Sequence, residues 1–283
     1  MTTAPTATRR SAPRVACPVC ESPAPQEGRF EDVVLHRCPR CDHCFTDVDS
    51  LAHLGKYDTE WEALHENWFA NPNVSLFDLV AQTIADHKPD AAVIDIGSGR
   101  GELLGYLRER NPRLSLTGLD AALQPELDGV EIIRADITSA DLGDRRWDVA
   151  VTLATIEHVA DVGTFAERLR SVLVPGGLAI VSTNNERSIP YDAARIFRKI
   201  GYDVPFVRLY DRHHLNHFNM RSLRTLMERS GLRPLRLHRH NIPLAAVDMP
   251  RESTVLKLGV WGTFVVGRLT GRTFFQTLVL ENR

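Results

Sequence analysis

The sequence predicts an α/β fold, a parallel sheet covered by helices, with a small cysteine-rich module in front of it. Two observations carry this prediction. Short apolar runs alternate with helical patterns from residue 75 onward, which is typical of parallel sheets with helices on their faces. All five cysteines lie between Cys17 and Cys44, at a spacing suited to one compact metal site. The predicted domains are a disordered tail (1–14), a metal module (15–50), a connector or lid (51–74) and the alternating domain (75–283).

The composition is that of a globular protein. The chain has 283 residues, of which 43% are hydrophobic and 25% charged, and its formal net charge is -2. This near-neutral balance gives no general support for nucleic-acid binding, although it does not exclude a local basic patch. No apolar stretch reaches the ~18 residues of a membrane span, and the N-terminus lacks a hydrophobic signal core. We therefore expect a cytoplasmic protein without a membrane span.

The metal module consists of two C-x-x-C turns, Cys17–Cys20 and Cys38–Cys41. Each tight turn presents two thiolates to one ion, which predicts a tetrahedral Zn²⁺ site of the zinc-ribbon type. Four protein ligands leave no open position, so the predicted zinc is structural. Disulfides are the alternative, which the cytosolic setting and the paired spacing oppose.

The remaining ribbon residues leave its role open. Cys44 follows the second turn and is interpreted as a buried apolar side chain. His36 and His43 would replace a cysteine only if that cysteine did not bind. Residues 29–37 are predicted to form a strand leading into the second turn. The ribbon is compatible with recognition of RNA, a carrier protein or a small substrate.

The connector is rich in rings, and two interpretations of it stay open: it covers a pocket, or it packs between the two domains. Its aromatic and histidine side chains are Tyr57, Trp61, His65, Trp68 and Phe69. A helix is then predicted from a capping box at Ser75 and Asp78 to His87 or Lys88.

A glycine-rich turn follows the first strand of the alternating domain, residues 91–96. Asp95 precedes Gly97, Gly99 and Gly101, and a helical pattern follows. Glycines permit a tight turn and let a ligand lie against bare backbone. The spacing is G-x-G-x-G, whereas the dinucleotide fingerprint is G-x-G-x-x-G.

The next strands each end near an acidic residue. Residues 114–119 end at Asp120, residues 131–135 at Asp136, and residues 147–153 lead to Glu157. An acidic residue about twenty positions beyond the glycines is suited to bind a ribose, because a carboxylate can accept hydrogen bonds from both ribose hydroxyls. Ligands of parallel sheets collect at the carboxyl ends of the strands, so these side chains are predicted to meet there.

The rest of the domain continues the alternation. A helix over 163–173 is predicted to stop at Pro175-Gly176-Gly177, and strands follow over 178–182, 233–238 and 275–280. A helix is also predicted over 221–230, capped by Asn219 and closed by Gly231. The amphipathic stretch 255–269 could form a lid, a dimer surface or a membrane-surface contact, with packing as the default.

Together, Asp95 to Gly101, Asp120 and Pro175-Gly176-Gly177 resemble a class I S-adenosylmethionine-dependent methyltransferase. The likeness covers residues 78–283 and implies a Rossmann-like seven-stranded methyltransferase sheet preceded by the zinc ribbon. The ribbon resembles that of a bacterial subgroup, many of whose members act on small molecules, sugars or polysaccharide precursors.

The resemblance implies a role for each site residue. Gly97, Gly99 and Gly101 would line the methionine and adenosyl portion of the cofactor, with Asp95 supporting the loop or the cofactor's amino group. Asp120 would bind the ribose, and Asp136 with Ile137 would meet the adenine. Residues from Leu153 to Glu157 would floor the pocket near the transferable methyl.

Histidines supply the candidate general bases. His158 follows the fourth strand directly, and imidazole titrates near neutrality. His214 and His217 lie in a histidine-rich insertion that begins at Asn184, and the sequence does not separate them as base or substrate contact. A metal pair of His213 and His217, four residues apart, is the weaker interpretation because the segment precedes the helix capped by Asn219.

The predicted function is methyl transfer to a small-molecule or glycan-precursor acceptor, at oxygen. An Asn/Asp-Pro-Pro-Tyr element is absent after the fourth strand, which by family resemblance disfavours methylation of planar amino groups. The alternatives are an RNA methyltransferase that uses the ribbon for recognition and a non-enzymatic partner-binding protein that retains the fold. A nicotinamide dehydrogenase is the least favoured function, because the glycine spacing is not that of the dinucleotide fingerprint. The oligomeric state stays open.

Overall fold

The computed structural model describes residues 14–51, 66–122, 125–248 and 253–283. Of the tail predicted over residues 1–14, residues 1–13 lie outside the described residues, as do Tyr57, Trp61 and His65 of the predicted connector, whereas Arg14 begins β1.

The described residues form twelve strands and eight α-helices. The strands are β1 (Arg14–Ala16), β2 (Pro23–Phe30), β3 (Val33–Arg37), β4 (Cys44–Thr46), β5 (Ala92–Ile96), β6 (Ser115–Asp120), β7 (Val130–Arg134), β8 (Trp147–Leu153), β9 (Leu173–Asn184), β10 (Asn216–His217), β11 (Leu232–His240) and β12 (Phe275–Asn282). The helices are α1 (Glu66–Ala70), α2 (Val74–His87), α3 (Glu102–Arg110), α4 (Val162–Ser171), α5 (Ile189–Lys199), α6 (Val204–Leu209), α7 (Met220–Arg229) and α8 (Thr254–Thr270).

A seven-stranded sheet forms the body of the molecule, in the order β11-β12-β9-β8-β5-β6-β7. Neighbouring strands in the part β9-β8-β5-β6-β7 are parallel, whereas β12 runs antiparallel to both of its neighbours, β11 and β9. The strand order reverses between β5 and β8, which is where ligands bind in open α/β sheets. The predicted Rossmann-like sheet is confirmed, including its last two strands.

Helices cover both faces of this sheet. On one face α2 and α3 contribute Val80, Ile84 and Leu104 to a core with the strands. On the other face Phe165 of α4 and Leu223 of α7 pack against the sheet. The strands are thus buried on both sides, which is why their sequences read as continuous apolar runs.

The Pro175-Gly176-Gly177 segment is not the helix stop that the sequence predicts. Helix α4 ends at Ser171, and the segment lies inside β9. Trp147 pairs with Leu173 but Val149 with Leu178, so the segment bulges out of the ladder. The prediction failed because proline and glycine break a helix and bulge a strand equally well.

Two helix starts give opposite outcomes. Asn219 caps α7 in a capping box with Ser222, as predicted for Asn219. The predicted cap at Ser75 is wrong, since Asn73 accepts the Leu76 N–H and α2 begins at Val74. Both Asn73 and Ser75 are good N-cap residues, so residue type alone does not choose between them.

The cysteine module forms an antiparallel sheet that does not stand alone. Strands β1 to β4 are joined by β10 of the insertion, with His217 opposite Cys44. The strand predicted over 29–37 is interrupted by a turn at Glu31 and Asp32. The four C-x-x-C cysteines belong to the same buried core as α4 and α7, so the module and the larger domain share one interior.

Helix α8 connects β11 and β12. Its buried residues are Phe264 and Gly267, whereas Val255 and Leu269 are each more than four-fifths exposed. Packing, the default interpretation, therefore accounts for only one face of this stretch. Within the described ranges, no helix has the length and apolarity that crossing a bilayer requires.

Candidate active site

The glycine turn lies at the carboxyl edge of the sheet, the edge at which the parallel strands end. Gly97, Gly99 and Gly101 have φ values of 75°, 54° and 81°, a region that favours glycine. A Cβ on Gly97 would lie 2.3 Å from the Thr155 side chain, whereas one on Gly99 would meet no atom within 4 Å. The turn therefore packs tightly at Gly97 and leaves bare backbone at Gly99.

Asp120 ties this turn to the end of β6. Its carboxylate accepts hydrogen bonds from the backbone N–H of Gly99 at 2.9 Å and of Ala122 at 2.8 Å. The Leu119 carbonyl accepts from the N–H of Gly97 at 2.7 Å. The structure thus places the predicted ribose-binding acid against the predicted methionine-binding glycines.

Asp95 lies beneath the turn at the end of β5. Its side chain is buried. Its pKa is raised to about 8, mainly by burial and to a smaller extent by the nearby carboxylates of Asp120 and Glu102. Asp95 therefore retains a proton at neutral pH, so it can donate as well as accept a hydrogen bond.

Asp136 and Ile137 follow β7 at the same edge. Asp136 accepts from the backbone N–H and the hydroxyl of Thr138, at 2.9 and 2.7 Å. Ile137 is buried, and its carbonyl accepts from Arg168 at 3.2 Å. The backbone is held next to β6 because Ala135 N–H donates to the Asp120 carbonyl at 2.9 Å.

The chain turns sharply after Leu153, the last residue of β8. Ala154 has φ 53°, which is uncommon for a residue with a Cβ. This conformation places Thr155 against Gly97. Sequence reasoning included Ala154 in the predicted pocket floor but missed its conformation, since nothing in an alanine signals a left-handed backbone; such outliers cluster at functional sites.

Glu157 is buried directly beyond this turn. The Thr183 hydroxyl of β9 donates to its carboxylate at 2.9 Å. This bond and the hydrogen bonds from the backbone at Glu157 and Asn184 lower the pKa of Glu157, but burial outweighs them and raises it to about 7. Glu157 therefore joins the ends of β8 and β9 beneath the edge.

The structure brings the three candidate base histidines together. The rings of His158 and His214 lie 4.9 Å apart, and those of His214 and His217 lie 6.4 Å apart. His158 Nδ1 is 2.8 Å from the His213 carbonyl, an acceptor, which assigns the proton to Nδ1 and the basic lone pair to Nε2. The insertion thus orients His158.

His217 occupies a different setting from the other two. It is fully buried in β10 with its ring 4.6 Å from that of Tyr210, and both ring nitrogens lack a hydrogen-bond partner in the described structure. Burial, together with His214, His43 and Arg37, lowers its pKa well below the ordinary value. His213 lies on a turn, so His213 and His217 do not share the helical face that a metal pair would need.

A buried ion cluster joins the cysteine module to the insertion, and sequence reasoning missed it. Glu186, fully buried, accepts from Arg37 of β3 at 2.6 Å, from Tyr210 at 2.7 Å and from Arg195. Arg37 also pairs with Glu27 at 2.7 Å. Arg37 lies 149 residues from Glu186 in the sequence, and no spacing rule connects them.

The four module cysteines have the geometry of a tetrahedral site. Their sulfurs all lie within 4.8 Å of one another, with Cys17–Cys41 at 3.6 Å and Cys20–Cys38 at 3.4 Å. A Zn–S bond of about 2.3 Å requires sulfurs about 3.8 Å apart in a tetrahedron. The donor set therefore fits Zn²⁺.

The two cysteine turns are built alike, and the alternative ligands lie elsewhere. Glu21 and Asp42, each directly after the second cysteine of its turn, have φ 61° and 62°. His36 Nδ1 lies 3.2 Å from the Ala24 carbonyl, and His43 Nε2 lies 3.1 Å from Asn216 Oδ1. Cys44 is buried, as predicted, and is not one of the four clustered cysteines.

The described end of the connector contacts the glycine turn. The Arg100 guanidinium lies 4.2 Å from the centre of the Phe69 ring, and Trp68 stacks on Phe275 with ring centres 5.8 Å apart. These contacts place residues 66–70 beside the glycine turn.

Comparison with known proteins adds a family and a fold. Residues 69–237 match a family described as a methyltransferase domain. The chain is 31% identical over 108 residues to the (S)-tetrahydroprotoberberine N-methyltransferase of Eschscholzia californica, covering 34% of this chain and 31% of that protein. It is 36% identical over 103 residues to the ubiquinone biosynthesis O-methyltransferase of Azorhizobium caulinodans, covering 33% and 40%.

These two relatives are matched over less than half of their length. A solved structure covers more: the 1,6-didemethyltoxoflavin-N1-methyltransferase of Burkholderia thailandensis, with a TM-score of 0.50 at 16% identity, over 87% of this chain and 98% of that one. At this identity the likeness describes the fold.

Proposed function

The chain belongs to the methyltransferase-domain family, and from that premise we propose that it transfers the methyl group of S-adenosylmethionine to a small-molecule acceptor. The observation that carries the proposal is the hydrogen bond between Asp120 and the Gly99 N–H, 2.9 Å long. It joins an acid suited to a ribose to a glycine backbone open to a ligand.

The donor would be held by residues from four strand ends. Asp120 uses one site on each carboxylate oxygen for backbone N–H groups and keeps further lone pairs for the two ribose hydroxyls. Gly97, Gly99 and Gly101 would border the methionine and adenosyl portion, with protonated Asp95 beneath them. Asp136 with Ile137 would meet the adenine, and Leu153 would floor the methyl end.

Bound S-adenosylmethionine would supply an activated leaving group at a sulfonium. The protein then has to align the acceptor and, for a hydroxyl, accept its proton. We assign this base to His158, because its hydrogen bond to the His213 carbonyl fixes the neutral tautomer that carries the basic lone pair on Nε2. His214, 4.9 Å away, would contact the acceptor, and His217 would position the insertion.

We further propose oxygen as the methylated atom and a sugar or glycan precursor as the acceptor class. An imidazole base suits a hydroxyl, which must lose a proton, and the turn after β8 lacks the Pro-Pro element. The ribbon gives no support for RNA: residues 15–51 carry seven carboxylates against three arginines, a net -4. The four thiols fit a structural zinc and a reducing, cytoplasmic setting.

Donor binding is tested by calorimetry with S-adenosylhomocysteine and the full chain. We expect micromolar binding, at least tenfold weaker in Asp120→Ala, because both ribose hydroxyls lose their acceptor. Asp141→Ala, in an exposed loop, is the matched control. A wild-type chain that does not bind would favour a non-enzymatic protein and overturn the proposal.

The acceptor is tested by incubating the protein with methyl-labelled donor and fractionated cell extract. Label in small molecules whose methyl is stable to mild base but lost to ether-cleaving reagent supports oxygen. Label found only in RNA would contradict the proposed acceptor and leave the proposed donor site unaffected.

The base is tested by the pH profile of turnover once an acceptor is found. His158→Gln is expected to lower kcat by 10²–10⁴-fold and to remove the acidic limb of the profile. His87→Gln, on the exposed end of α2, is the control. An unchanged acidic limb in His158→Gln would exclude His158 as the base.

A further inference from the structure

Helix α8 carries a wide apolar surface that faces solvent. Val255 and Leu269 are 83% and 81% exposed, and Leu258 and Trp261 are 61% and 56% exposed. At 100° per residue, Val255, Leu258 and Leu269 fall on one face, opposite the buried Phe264 and Gly267. Single exposed apolar residues are ordinary, but a whole apolar helix face points to an interaction site.

Helix α5 lies beside α8 and has the same character. Ile196 and Ile200 are 60% and 73% exposed. The start of α5 is tied to the end of α8 by the Ile189 N–H, which donates to the Arg272 carbonyl at 3.1 Å. Phe197, Tyr202 and Val204 extend the exposed apolar surface. We call the exposed faces of α5 and α8 the apolar platform.

Cations outnumber carboxylates on the platform. The α8 sequence from 254 to 270 contains Lys257 and Arg268 but no carboxylate. On α5, Arg195 and Asp192 pair with each other, which leaves Arg198 and Lys199 against the exposed Asp203 that follows the helix. Lys257 and Arg268 border the apolar face of α8 on the same side as Trp261. An apolar face with a cationic border and an aromatic side chain is typical of helices that lie in a membrane interface.

The fold places the platform at the edge that carries the glycine turn. His240 at the end of β11 pairs with Phe275 at the start of β12, which pairs with Asn184 at the end of β9. Since β9 runs parallel to β5 through β8, all these positions share the carboxyl edge. The α8 connection leaves and returns at that edge, and α5 follows β9 from it.

We propose that the apolar platform docks on the surface of a bilayer that contains anionic phospholipids. The helix would lie in the interface, because 17 residues extend about 26 Å, short of the ~30 Å hydrocarbon core. Anionic head groups complement Lys257, Arg268 and Lys199. A two-fold dimer would instead bring one predominantly cationic patch against an identical one, since a two-fold interface uses the same patch twice.

Docking here would turn the donor edge toward the membrane. An acceptor with an apolar tail would then reach that edge without leaving the bilayer, a consequence that rests on the proposed function. The docking itself does not, since it is measured without a methyl donor.

The test is sedimentation of the full chain with sucrose-loaded vesicles, phosphatidylcholine alone or with one quarter phosphatidylglycerol. We expect binding to the mixed vesicles that weakens in high salt. The double variant Lys257→Gln/Arg268→Gln is expected to bind about 25-fold more weakly, since each cation near an anionic surface contributes about fivefold. Leu258→Ser is expected to bind at least fivefold more weakly.

Matched controls come from the opposite edge of the sheet. Leu235→Ser removes an exposed leucine of β11, and Arg113→Gln removes an exposed arginine before β6. Both are expected to bind like wild type. Equal binding of wild type to neutral and mixed vesicles, or losses as large in the controls, would overturn the proposal.

Trp261 fluorescence gives a second readout. Its emission is expected to shift to the blue with mixed vesicles, and Trp261→Phe should lack that shift. Sedimentation equilibrium without lipid addresses the competing occupant. A wild-type dimer that Leu258→Ser dissociates, with no vesicle binding, would assign the platform to a second copy and contradict lipid docking.

Discussion

The glycine turn and the ribbon–insertion junction are held by opposite means. The turn depends on backbone: three residues at positive φ and N–H groups that bond to Leu119 and Asp120. The junction depends on side chains, with Glu186 buried among Arg37, Arg195 and Tyr210. The turn leaves room for a ligand beside Gly99, whereas the junction is filled by the side chains around Glu186.

This difference gives the ribbon a structural role. Asn216 accepts from His43 and donates to the Val159 carbonyl at 2.7 Å, which links the ribbon to the turn after β8. The His213 carbonyl, part of the same insertion, accepts from His158. The ribbon therefore supports the segment that orients the candidate base, and it does so from outside the proposed donor site.

Among the changes that test this comparison, loss of the metal is expected to lower the free energy of unfolding most. Cys20→Ser should lose zinc and lower the free energy of unfolding by more than about 5 kcal/mol, because structural zinc supplies much of a ribbon's folding energy. Zinc content and urea unfolding measure this. If the glycine turn is independent, residual S-adenosylhomocysteine binding survives in the fraction that remains folded.

Cys44→Ala is the matched control for zinc loss. Cys44 is equally buried but lies outside the four-sulfur cluster. We expect full zinc content and a loss of about 1 kcal/mol for the small cavity. Wild-type zinc content in Cys20→Ser would contradict the assigned ligand set.

The junction itself is tested by Glu186→Gln. This change removes the one fully buried carboxylate that Arg37 and Arg195 share, which is expected to cost about 3–5 kcal/mol even though Arg37 keeps Glu27 and Arg195 keeps Asp192. Urea unfolding measures the loss. Glu228→Gln, which breaks an exposed pair with Arg224 on α7, should cost no more than about 0.5 kcal/mol. Equal losses in the two variants would show that the junction stabilises nothing.

How far the sequence predicts each region follows from the same difference. The turn lies within one short segment, and each strand end carries its acid next to an apolar run, so local pattern suffices. Glu186 and Arg37 lie 149 residues apart, and only folding brings them together. A ribbon was predictable from cysteine spacing, but its fifth strand, β10, has two residues and no pattern of its own.

Stability at different pH values probes the edge beneath the turn. The pKa of Glu157 is about 7 in the folded protein against an ordinary 4.5, so the native state binds a proton that the unfolded state has lost. The contribution of Glu157 to stability therefore falls as pH rises from about 4.5 through 7, by at most about 3 kcal/mol.

Glu157→Gln is expected to remove this contribution. The variant should match wild type at pH 5 and be more stable by about 2–3 kcal/mol at pH 8, as measured by urea unfolding. Asp95, whose pKa is also raised, is retained in both proteins. The control is Glu109→Gln on α3, an exposed position, whose free energy of unfolding should differ from that of wild type by the same amount at both pH values. A constant difference for Glu157→Gln would contradict the raised pKa.

The smallest expected effects on stability come from two glycines of the turn, and they separate packing from binding. Gly97→Ala adds a left-handed penalty and a clash with Thr155, about 2–3 kcal/mol together. Gly99→Ala meets no neighbour, so only the left-handed penalty of about 1 kcal/mol applies. Urea unfolding should therefore rank Gly97→Ala below Gly99→Ala.

Donor affinity should not follow that ranking. A methyl at Gly99 projects into the space that the protein leaves open, so Gly99→Ala is expected to weaken S-adenosylhomocysteine binding at least tenfold despite its mild folding cost. Gly143→Ala, with φ 55° and likewise no neighbour within 4 Å, matches its strain away from the turn and should bind like wild type. If Gly99→Ala also bound like wild type, the open backbone would not be the ligand's, and the contrast between an open turn and a filled junction would lose its functional meaning.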